Sequence, residues 1–94
     1  MVKVVVFTSE NCAHCAEYKD KNMPVLQNNG ALEIPFEGNE AFIKRIGIIA
    51  GLPTVGTASE STDGKNVLLC NSESGQCVPI SLEEFDHVSR PIQE

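Results

Sequence analysis

The stretch that most constrains what this chain can fold into is Phe7-Thr8-Ser9-Glu10-Asn11-Cys12-Ala13-His14-Cys15-Ala16-Glu17-Tyr18-Lys19. Val2-Lys3-Val4-Val5-Val6-Phe7 runs ahead of it, an apolar, β-branched segment of strand length without helical spacing. Such a run predicts a strand buried on both faces. A short polar segment follows, and then a helix-compatible stretch that opens with two cysteines three positions apart. A Cys-x-x-Cys pair at a strand-to-helix junction reads as a redox motif.

The physical chemistry of a helix start suits a reactive sulfur. First-turn amides have no intrahelical acceptor, and the macrodipole puts partial positive charge there. A thiolate at that position is stabilised, its pKa falls, and more of it is nucleophilic near neutral pH. The spacing therefore casts Cys12 as the exposed attacking sulfur. Cys15 lies one turn on, on the same face and deeper, as the resolving thiol. His14 stands between them. As a cation it favours the Cys12 thiolate, whereas Glu10 and Glu17 oppose it, because nearby carboxylates raise a thiol pKa. A solvated first-turn histidine is the plain alternative to this tuning role.

With 94 residues, 41% hydrophobic and 21% charged, the chain is expected to be one globular domain spanning 1–94. A net charge of −6 argues against nucleic acid or an anionic membrane surface as partner. No leader-like or membrane-spanning stretch is evident, so a cytoplasmic location is expected. In that setting four cysteines favour redox or metal chemistry over a disulfide scaffold.

Further along, a helix is expected from about residue 12 toward Asn29, capped by Asn11, stopped by Gly30 and kinked or split near Asn22 and Met23 by Pro24. Residues 31–37 alternate as a second strand, with Pro35 marking an edge. Asn39 caps a second helix with Phe42, Ile43, Ile46 and Ile49 on its apolar face. Leu52-Pro53-Thr54-Val55 is extended, and the region from Gly56 to Asn66 is polar and turn-rich. Residues 66–70 and 76–80 form a hairpin. Ser81-Leu82-Glu83-Glu84 is a capping box that opens a last helix with Leu82, Phe85 and Val88 inward. The order β-α-β-α-β-β-α predicts an α/β fold, a mixed four-stranded sheet flanked by helices.

On the segments Val4-Val5-Val6-Phe7-Thr8-Ser9-Glu10-Asn11-Cys12-Ala13-His14-Cys15 and Ile46-Gly47-Ile48-Ile49-Ala50-Gly51-Leu52-Pro53-Thr54, the chain resembles the thioredoxin-fold superfamily, in its glutaredoxin and glutaredoxin-like thioredoxin branch. The resemblance implies a thiol–disulfide oxidoreductase with Cys12 and Cys15 as the catalytic couple. It makes Pro53 a cis-proline facing them, and it makes Leu52, Pro53 and Thr54 the platform for an extended substrate. The implied partners are disulfide-bearing proteins and a reductase or glutathione, with no metal or organic cofactor.

The chain departs from the glutaredoxin pattern in Ala13-His14 and in Gln76-Cys77-Val78-Pro79-Ile80-Ser81, which holds the place of a glutathione-binding Gly-Gly segment. Tryptophan is absent. Glutathione is accordingly expected as a reductant rather than as a tightly held ligand. The alternative function is a non-catalytic binding or adaptor module with a structural disulfide or metal clamp.

Cys70 and Cys77 fall on the two arms of the hairpin. They read as two separate thiols, as a cross-strand disulfide that is either structural or a second redox pair, or as half of a four-thiolate zinc site with Cys12 and Cys15. Lys44-Arg45 suits a substrate carboxylate or a solvated helix face. Lys19, Lys21 and His87 read as surface groups.

Overall fold

The computed structural model describes residues 2–47 and 51–92, without the side chains of Ala41 and Phe42. Its centre is β1, Val2–Thr8, which becomes fully buried from Val5 onward while Val2 and Lys3 stay exposed. The chain continues through α1 (Ala13–Asn28), β2 (Leu32–Pro35), α2 (Glu40–Arg45), β3 (Thr54–Glu60), β4 (Asn66–Asn71), β5 (Cys77–Ser81), α3 (Leu82–Val88) and β6 (Arg90–Pro91). The strands form one mixed sheet in the order β5-β4-β3-β1-β2-β6. β1 and β2 are parallel, joined across α1, and every other neighbouring pair is antiparallel. No helix among the described residues is long and apolar enough to cross a membrane.

Alternation along β1 divides the core. Val5 and Phe7 point to one face, where Ile34, Ile43, Ile46, Leu69, Val78, Ile80 and Phe85 gather from the sheet, α2 and α3. Val4 and Val6 point to the other, against Met23, Leu26 and Tyr18 of α1, with Ala31 and Ile92. A continuous β-branched run is what a strand covered on both sides requires.

The structure corrects the expected four-stranded sheet to six strands. β3 occupies the beginning of the region expected to be turns and sits between β1 and β4. Its inward residues, Thr54, Gly56 and Ala58, are small and carry little apolar signal. Gly56 is there for space, because a Cβ would stand 2.2 Å from the Cys70 carbonyl oxygen and 3.1 Å from Phe7 Cε2. β6 is two residues long and has no sequence signature of its own.

Pro24 lies inside a continuous α1 rather than splitting it. The carbonyl it leaves without an i+4 donor belongs to Asp20, on the exposed side of the helix. The α1 cap is Cys12, not Asn11. Asn39 caps α2 without a side-chain bond to its amides, its Nδ2 donating instead to Pro35 O at 2.9 Å. Of the expected apolar face of α2, Ile43 and the C-cap Ile46 are fully buried, while the Phe42 side chain and Ile49 lie outside the described residues. Ser81 caps α3 as expected, accepting from the Glu84 N–H at 3.1 Å.

Candidate active site

Cys12 ends the loop after β1 and caps α1, and its Sγ accepts the Cys15 backbone N–H at 3.1 Å. That amide is one of the orphan donors of a helix start, so the donor that would stabilise a Cys12 thiolate is already aimed at the sulfur. The two cysteines are joined as a disulfide, with Cα atoms 5.2 Å apart. Their environments differ. Cys15 is 1% exposed and Cys12 is half-buried, which leaves Cys12 as the sulfur open to a partner.

Across from Cys12 stands the Leu52–Pro53 segment, whose peptide bond is cis as the resemblance implies. Cys12 Sγ lies 3.5 Å from Leu52 O. A groove of about 550 Å³ runs beside them, lined by Ser9, Phe36, Ile43, Lys44, Gly47 and Leu52. Thr54 is fully buried and gives its hydroxyl to Gly51 O at 2.8 Å. His14 is exposed and opens onto a separate cleft with Tyr18 and Pro53.

The loop ahead of Cys12 is tied down by Glu37, whose carboxylate accepts Ser9 Oγ at 2.5 Å and the Glu10 N–H at 3.2 Å. Those bonds hold the Glu37 carboxyl below its usual range.

Sequence reasoning missed Glu33. It is a charged residue only 2% exposed, on a central stretch of β2, and it shares a cleft with Cys12 and Cys15. Burial pushes its pKa up. Hydrogen bonds from Thr8 (2.6 Å) and Lys19 (2.9 Å), with the positive charges of Lys19 and Arg90, outweigh burial and hold it below the ordinary carboxylate value. Arg90 Nε stands 3.2 Å from the other carboxylate oxygen. Lys19 is therefore not the free surface charge its sequence context suggested; it sits one turn beyond Cys15 with its side chain 20% exposed. The only sequence signal was a glutamate among the apolar residues of a strand.

Cys70 and Cys77 are joined as a cross-strand disulfide, one of the three arrangements the sequence left open, directly opposite in the β4–β5 register with Cα atoms 4.1 Å apart. This excludes two separate thiols in this structure. Among the described residues no group of three or more His, Cys, Asp or Glu side chains converges as a metal-ligand set. His87 is exposed on α3. Comparison with family models, curated proteins and solved structures finds no match, so the chemistry rests on the site itself.

Proposed function

We propose that the chain is a thioredoxin-like dithiol–disulfide oxidoreductase working through Cys12 and Cys15. The observation that carries this reading is the asymmetry of the pair. One sulfur is partly open at a helix start with a backbone N–H on it, the other is buried behind, and the open one borders an apolar groove beside Leu52. A mixed sheet with helices on both faces supports the same reading.

In the reduced protein the Cys12 thiolate attacks one sulfur of a substrate disulfide, and the departing substrate sulfur takes up a proton. Cys15, deprotonated, then attacks Cys12 Sγ and releases the second substrate thiol. The Cys12–Cys15 disulfide remains. Two electrons and two protons have passed to the substrate. A reductase dithiol, or two molecules of glutathione, reverses the change. The substrates are disulfide-bearing proteins or small disulfides laid along the groove, with the Leu52 backbone as their edge.

Redox titration with thiol trapping, read by peptide mass, tests this. Cys12–Cys15 is expected to cycle reversibly between roughly −120 and −270 mV, the span of working oxidoreductases. Cys12→Ser abolishes turnover, and Cys15→Ser accumulates mixed disulfides at Cys12. Turnover retained in Cys12→Ser overturns the mechanism. A Cys12–Cys15 bond that never opens in the folded protein makes the chain a binding module instead.

A further inference from the structure

The disulfide between Cys70 and Cys77 encloses the turn that joins β4 to β5, and that turn reaches α2. Asn71, fully buried, donates from Nδ2 to both Ile46 O and Gly47 O at 3.1 Å. Ser74 Oγ donates to Ile46 O at 3.0 Å. Gln76 lies against Gly47, where a Cβ would fall 2.1 Å from its Oε1. The last carbonyls of a helix have no intrahelical donors. Here two side chains set between the bridged cysteines supply donors to the α2 C-cap carbonyl, Ile46 O, and Asn71 also holds Gly47 O just beyond it.

α2 and the residues just after it are also one wall of the Cys12 groove, through Ile43, Lys44 and Gly47. A continuous line of contacts thus runs from the Cys70–Cys77 bond, through Asn71, Ser74 and Gln76, to the groove wall beside Cys12. The bond itself lies within reach of solvent. β5 is an edge strand, Cys77 is exposed, and Cys70 is half-buried.

We propose that Cys70–Cys77 is a second redox site, a regulatory disulfide that an external dithiol opens to lower the affinity of the Cys12 groove for its substrate. This rests on the groove being the substrate site. A thiolate of the dithiol attacks the exposed Cys77 Sγ, the Cys77–Cys70 bond breaks, and Cys70 leaves as a thiolate and takes up a proton. The second thiol of the donor, deprotonated, then displaces Cys77, which also takes up a proton. The donor ends as a disulfide and this chain gains two thiols, a transfer of two electrons and two protons. The freed β4–β5 turn samples more conformations, holds the Ile46 and Gly47 carbonyls for less of the time, and leaves the groove wall less ordered.

The test uses the full chain in two arms. In the first, the Cys12→Ser/Cys15→Ser protein is titrated with dithiothreitol, its thiols are trapped, and hydrogen exchange is followed over residues 43–47. The pair is expected to open reversibly in the folded state, with exchange at Ile46 and Gly47 quickening several-fold. In the second, turnover is measured with Cys70→Ser/Cys77→Ser, and with Ser74→Ala, which keeps the disulfide and removes one strut. KM is expected to rise about five-fold in the double variant, less in Ser74→Ala, with kcat unchanged in both.

A pair that stays closed until the protein unfolds overturns the proposal. So does opening that leaves exchange over 43–47 or KM unchanged, which would make the bond a static staple. Absence of turnover in the protein with all four cysteines would instead sink the oxidoreductase reading, and the exchange arm would still decide whether the disulfide governs the end of α2.

Discussion

Glu33 and Cys12 show how single residues acquire their chemistry from neighbours. Cys12 obtains its donor from the Cys15 amide three residues on, a local consequence of capping α1. Glu33 obtains Thr8, Lys19 and Arg90 from β1, α1 and β6. Replacing Glu33 with Gln leaves a partly buried lysine facing a neutral amide, and a loss of about 1–3 kcal/mol at neutral pH is expected. The sign with pH follows from the lowered pKa of Glu33. Its contribution is complete above the carboxyl's unfolded value and is lost as pH falls through the lower folded value. Urea unfolding of the two proteins should therefore diverge at neutral pH and converge in acid. A gap that persists in acid would assign the effect to packing. The positions of Cys12 and Cys15 were legible in the sequence because their spacing is local. Lys19 was legible only as a charge, because what pairs with it lies fourteen residues away on strand β2.

Among the elements, β3 is the most informative. Its neighbours β1 and β4 announce themselves by Val and Leu, whereas β3 contributes Thr54, Gly56 and Ala58 to the interior. Small residues are what its position needs, since Phe7 from β1 and the Cys70 carbonyl from β4 close over Gly56. Gly56→Ala is expected to destabilise the protein by about 1–3 kcal/mol, the usual cost of forcing an atom into a filled interior, measured by chemical denaturation. An unchanged midpoint would mean that the strands separate freely there. α1 shows the converse. Its proline predicted a break, yet the helix holds, because the face that packs Met23 and Leu26 against β1 stabilises it more than one missing bond on the exposed side weakens it.

At the scale of the whole molecule, the two disulfides sit on different structural footings. Cys12–Cys15 closes a helical turn at one end of the sheet. Cys70–Cys77 links an edge strand to its neighbour across a sequence separation of 7. In the chain-entropy account, opening a loop of that length releases about 2.5 kcal/mol of constraint on the unfolded chain. For a domain of this size the oxidised protein should melt on the order of 10 °C above the Cys70→Ser/Cys77→Ser variant. Calorimetry showing equal Tm values would mean that the unfolded state is not restricted by the bond. The net charge of −6 is a property of the surface as a whole and leaves Lys19 and Arg90 free to gather around one buried carboxylate beside the cysteines.

The sequence by itself determined what rests on short-range order: the β1 run, the strand-to-helix junction with Cys12 and Cys15, the Ser81 cap, and the hairpin with Cys70 and Cys77 on its two arms. These follow from spacing, propensity and capping within a few residues. Tertiary structure alone decided that a weakly apolar stretch became the inner strand β3, that Glu33 is buried and paired, and that the β4–β5 turn holds the end of α2. Each depends on partners far apart in the chain, so its energy exists only once the sheet has assembled.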